Sequence, residues 1–274
     1  MWSLLRILAL AFLLVVGALV TGRGGWLLQV LDTWSAAVGA PAMPRAPLSL
    51  SPLPTIGGLA AGWAAAVVRP AHRAVGQLVT LLHEVGHTVV AAALGARPRG
   101  IVLRHDASGH ATASWVGQAS PLRRLALGTV AFVGLPAAAV ASASAAQLLL
   151  VVGPRTVLWS VAGAGALVAL LARSVWSLLI AAGTAGLAVT ALGDTAEPWA
   201  ASAVVALVTA VAVKTTGDNL RRLRTPIREG DDARVVSANL GLPARLVQFV
   251  QVALGAALSG FVLWWLARHA YMEW

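Results

Sequence analysis

Long apolar runs, separated by short polar or basic breaks, dominate the chain. Runs of the roughly 17 to 25 residues that cross a bilayer fall near residues 3–20, 74–96, 126–152, 155–172, 174–192, 197–213 and 243–268. A further run, "TIGGLAAGWAAAV" at 55–67, is too short to span securely. The pattern predicts an all-α polytopic membrane protein with about six to eight transmembrane helices. The first run, "MWSLLRILALAFLLVVGALVTG", has a thin basic n-region, which favours an uncleaved anchor over a signal peptide. Residues 24–40 read as a short interfacial helix with Trp26 and Trp34 as anchors, and five prolines in 41–54 read as an extended linker. These features make residues 1–73 an N-terminal anchor, interfacial helix and linker, and 74–274 the main domain. After the second run the period changes: "GIVLRH" and "HATASW" alternate about a polar turn, which predicts a short β-hairpin.

Composition agrees with the pattern. Of 274 residues 58% are hydrophobic and only 11% charged, with a mean hydropathy of +0.80, outside the range of soluble domains. The net charge of +10 does not point to nucleic acid, because the arginines sit between apolar runs, where basic residues orient helices in the bilayer. Arg97, Arg99, Arg104, Arg123 and Arg124 follow the second run, and Lys214, Arg221, Arg222, Arg224, Arg228, Arg234 and Arg245 precede the last. An even number of spans lies between these clusters, so both are expected on one face, the cytoplasmic one. There are no cysteines, which excludes disulfides, thiolate-bound zinc and thiol catalysis. Gly163, Gly165, Gly183 and Gly186 suit close helix packing in lipid.

Against this background "LLHEVGHTVV", residues 81–90, places three ionisable side chains inside one apolar helix. Positions i and i+4 share a helix face, so His83 and His87 can ligate one metal ion, while Glu84 is offset toward a water on that metal. Zinc lowers the pKa of bound water toward about 7, and a neighbouring carboxylate can take its proton as it attacks an amide carbonyl. Chance would give this pattern roughly 0.002 times in a chain of this composition. A membrane protein that binds metal without cleaving, a divalent-ion carrier or scaffold, is the alternative. It would need the histidines but not the base, and a carrier would need further polar groups along several spans.

The stretch "HEVGHTVVAAALGARPRGIVLRHDASGHATAS", residues 83–114, resembles the site-2 protease family of intramembrane zinc metallopeptidases, in its compact bacterial branch. Residues 217–250, "GDNLRRLRTPIREGDDARVVSANLGLPARLVQFV", are similar to the closing region of that branch. The resemblance implies zinc-dependent cleavage of transmembrane protein substrates, often as regulated release of a signalling protein, by a multi-pass protein of the bacterial plasma membrane. No soluble recognition module is evident, which leaves substrate choice to the membrane or to a regulatory membrane partner. Catalytic zinc takes three protein ligands, and two aspartates compete for the third place. Asp218 follows the run 197–213 directly, where the family's Leu-Asp-Gly aspartate would fall, although this chain reads Gly217-Asp218-Asn219 and lacks the preceding Asn-Pro element. Asp232, in "GDDARVV", is the second candidate, with either acid there able to cap a helix that stops at Gly241 and Pro243. Asp106, His105 and His110 are expected in a solvated turn. The open edges of the hairpin are expected to pair with an unwound segment of substrate.

Overall fold

The structure is a computed structural model that describes residues 51–115, 120–193 and 197–271. The expected span 3–20, the interfacial helix 24–40 and the linker up to residue 50 lie outside the described residues. Within them are α1 (Pro52–Val67), α2 (Ala71–Ala93), β1 (Arg97–Leu103), β2 (Gly109–Ser114), α3 (Pro121–Val152), α4 (Pro154–Leu171), α5 (Val175–Ala191), α6 (Glu197–Arg224), α7 (Asp232–Leu240) and α8 (Ala244–Tyr271). The protein is therefore mostly helical, with one small two-stranded sheet.

The end of the proline-rich stretch is helix rather than linker. Pro52 opens α1, where the N–H that proline lacks would have had no partner in any case. Four helices, within Pro121–Val152, Pro154–Leu171, Pro198–Arg224 and Ala244–Arg268, are long and apolar enough to cross a membrane by length and composition. These four are counted among the described residues, which do not include the expected span 3–20. α1 and α5 are apolar but shorter, and α2 is diluted by His72, Arg73, Gln77, His83, Glu84 and His87. A second difference lies in α6, which continues past residue 213 to Arg224 through "KTTGDN". Arg221, Arg222 and Arg224 sit in its last turn, where cations meet the unpaired carbonyls of the helix end.

α3 is the central helix and packs against α2, α6, α7 and α8. Its C-terminal half shares a core with Val157 and Leu158 of α4, Val204, Val205 and Val208 of α6, and Val262 and Leu266 of α8. In lipid the hydrophobic effect does not hold helices together, so contact depends on small residues that let backbones approach. Of the four expected glycines one is used. Gly165 meets Ala181 and Ala185, but Gly163, Gly183 and Gly186 face open space. Close approach falls instead at Gly58 and Gly62, where α1 lies on the backbone of α6 at Ser202 and Ala206.

The hairpin packs on α2 and α5 through Ile101 and Leu103, which join Leu81 and Ala181 in a small core. At its tip Asp106 accepts from the Ser108 N–H at 3.0 Å and the Ser108 hydroxyl at 2.7 Å. These bonds hold the exposed Asp106 carboxyl below the usual carboxylate range. The outer edge of β1 is not open. Ile101 O accepts from Arg173 N–H at 2.9 Å and from Ser177 Oγ at 3.1 Å, and Leu103 O accepts from Ser174 Oγ at 2.8 Å. The turn between α4 and α5 thus covers β1, leaving β2 as the edge strand.

Candidate metal centre

α2 carries the motif. One turn of helix stacks His83 and His87 edge to face, with ring centroids 4.7 Å apart. The third group comes from far along the chain. Asp231 ends the α6–α7 connection, its Oδ2 accepting the Arg228 N–H at 2.7 Å, and Asp232 opens α7 with its carboxylate toward the two imidazoles. Asp232 Oδ2 is 3.1 Å from His83 Nε2, Oδ1 is 3.3 Å from His87 Nε2, and the two Nε2 atoms are 3.1 Å apart. Among the described residues His83, His87 and Asp232 form the one such group whose donor atoms all lie within 4.8 Å of one another.

Three observations test whether these residues fit a metal ion. The spacing matches a tetrahedral site, since ligands about 2.0 to 2.1 Å from a common ion lie about 3.3 Å from each other. His87 Nδ1 is 2.7 Å from Val130 O, a group that only accepts, so Nδ1 carries the proton. In the neutral ring that leaves a lone pair on Nε2 aimed at the carboxylate, an arrangement that wants a cation between them. Asp232 Oδ2 is also buried without a hydrogen-bond partner. The donor set therefore fits a divalent ion.

Glu84 is buried at 4% exposure beside this group and faces the hairpin. A side chain at Gly109 would press on Glu84 Cγ and on Thr80, so the glycine that opens β2 also makes room for the glutamate. Its carboxylate has no hydrogen bond to another described residue, while its backbone carbonyl accepts from Thr88 Oγ1 at 2.8 Å.

Asp218 does not join the group. Because α6 remains helical through Gly217, Asp218 falls one turn after Lys214 and is held by its ammonium at 2.6 and 2.5 Å. The sequence reading ended the helix at 213 and so missed this partner. It also missed the support that α3 gives the site. Gly134 leaves the space that the His87 ring occupies, and a Cβ there would also come within 2.8 Å of Asp232 Oδ2. Pro136 has no N–H for Phe132 O, and Gln251 of α8 supplies the missing donor through Nε2, at 2.9 Å to Phe132 O and 3.2 Å to Ala131 O. "VGLP" carried a local cue, a glycine and a proline inside an apolar helix; Gln251 carried none.

Two imidazoles and a carboxylate converging beside an uncommitted glutamate, in a bundle with membrane-length helices, define a membrane metallopeptidase. The chain belongs to the Peptidase M50B-like family, whose match runs from residue 56 to 268, from α1 into α8. That agrees with the site-2 protease resemblance. No curated protein and no solved structure matches the chain.

Proposed function

We propose that the protein is a site-2 protease-like intramembrane zinc metalloprotease that hydrolyses membrane-embedded protein substrates in the plasma membrane of a bacterium. The observation that carries this reading is the convergence of His83, His87 and Asp232 with Glu84 beside them. His83 Nε2, His87 Nε2 and an Asp232 oxygen would hold the ion. Zinc, when bound, supplies a Lewis acid that makes water a nucleophile near neutral pH and polarises the peptide carbonyl. Glu84 takes a proton from the attacking water and delivers it to the leaving nitrogen, so that one C–O bond forms, one C–N bond breaks, and the base is regenerated. Val130 O keeps the His87 proton on Nδ1, which fixes the tautomer that ligates.

A transmembrane helix hides its amides in internal hydrogen bonds, so a substrate must be unwound before it can be cut. The edge of β2 supports such a step. Arg104 N–H donates to Ser108 O and the register pairs Val102 with His110 and Gly100 with Thr112. By the two-residue period of an antiparallel ladder, the backbone groups of Ala111 and Ala113 point away from β1. An extended segment added there runs from an edge that begins at Gly109, against Glu84. A carrier or scaffold would have no use for the carboxylate.

The test is a comparison of protein N-termini in membranes of cells expressing the wild type or Glu84→Gln. Fragments cut within or near transmembrane segments should appear only with the wild type. Identical sets in the two strains would remove the protease reading.

A further inference from the structure

Beside Asp232 opens a cavity of about 250 Å³, walled by Arg222 at the end of α6, Arg228 in the α6–α7 connection, Asp231, Asp232, and Gln248 and Gln251 of α8. Its polar groups divide sharply into committed and uncommitted ones. Asp232 is held by the two histidines and Asp231 accepts from the Arg228 N–H. Gln248 donates to Arg222 O at 3.1 Å and accepts from Arg245 Nη1 at 3.0 Å, while Gln251 is engaged with α3. The guanidinium groups of Arg222 and Arg228 make no ion pair among the described residues. In number these two cations match the carboxylates of Asp231 and Asp232, so an ion held at the histidines, which Asp232 faces, would leave the cavity positive. Guanidinium groups present paired N–H donors matched to a carboxylate. An anionic lipid headgroup has the same chemistry, but it needs only surface arginines and not a cavity that reaches a residue of the metal group.

We propose that this cavity is a specificity subsite that takes an acidic side chain of the substrate, next to the bond to be cut. The inference rests on the protease reading and adds the substrate chemistry to it. An acidic residue flanking the cut on the face marked by the basic residues would be drawn into line with the centre, and a basic one repelled.

The experiment uses the full-length, zinc-loaded protein in phosphatidylcholine nanodiscs, titrated with two peptidyl hydroxamates that differ only in Glu or Gln beside the hydroxamate. Because both arginines are exposed, the Glu compound should bind roughly fivefold more tightly, a preference that shrinks as salt is raised. In the Arg222→Gln/Arg228→Gln double variant the preference should vanish while the Gln compound still binds, which shows that the fold is intact. Equal binding of the two compounds to the wild type overturns the subsite and leaves the protease reading standing. Binding of neither overturns both. Absence of a Glu preference, with arginine-dependent retention of phosphatidylglycerol through purification, assigns the cavity to lipid and also overturns the subsite.

Discussion

At the scale of single residues, the chain separates two aspartates by what each can reach. Asp232 meets two imidazole nitrogens, whereas Asp218 meets an ammonium one helical turn away. The Lys214–Asp218 pair is partly buried, with side-chain exposures of 10% and 32%. Asp218→Leu should cost about 1 to 3 kcal/mol, because it strands the more buried Lys214 charge. Lys214→Met/Asp218→Leu should recover most of that loss in thermal unfolding of the detergent-solubilised protein. If the single and double variants were equally destabilised, the pair would not be the reason Asp218 sits where it does. Gly134→Ala tests the other side of the site. The added methyl overlaps the His87 ring, so zinc affinity by competition with a chelator should fall about 10- to 100-fold with little change in helix content. Unchanged affinity would show that the ring can move aside freely.

At the scale of elements, α3 gives up part of its own hydrogen bonding and α8 repairs it. Pro136 leaves Phe132 O without its helical donor, and the Gln251 amide takes that carbonyl and its neighbour one turn from the site. Gln251→Leu should destabilise by about 1 to 3 kcal/mol, the cost of leaving buried acceptors unpaired. In a Pro136→Ala background the cost should be smaller, since the alanine restores a backbone N–H that can donate to Phe132 O. A double-mutant cycle measures the difference, and a coupling near zero would break the link between the two residues. The same element explains why the site was only half legible. His83, Glu84 and His87 announce themselves by spacing on one helix, and the alternation after them marked the hairpin residues. Gln251, lying 120 residues from Ala131, has no local period to betray it. The end of α6 was misjudged for a related reason. "KTTGDN" is polar enough to look like a loop, yet Lys214 and Asp218 pair along the helix they extend.

At the scale of the molecule, small residues set how the helices meet, and the hairpin is a fixed part of the bundle. α1 lies against α6 at Gly58 and Gly62, so Gly62→Val should force the two backbones apart and lower the unfolding temperature. Gly163→Val, which faces open space, is the matched control and should leave it nearly unchanged. Equal effects would mean that close approach at α1 does not matter. Hydropathy located the long helices within a few residues, except at the C-terminal end of α6, but could not say which faces touch, because alanine and glycine are scattered through every run. Charge identified Arg222 and Arg228 only as orienting residues, and their place beside Asp232 follows from how α6, α7 and α8 meet.

The central claim is that His83, His87 and Asp232 hold a catalytic zinc ion with Glu84 as base. It is tested most directly by the zinc content of purified wild type, Glu84→Gln, His83→Ala, Asp232→Ala and Asp218→Ala. About one zinc per chain should be found in the wild type, Glu84→Gln and Asp218→Ala, and almost none in His83→Ala and Asp232→Ala. A wild type without metal after chelator-free purification, or zinc kept by Asp232→Ala and lost from Asp218→Ala, would contradict the account.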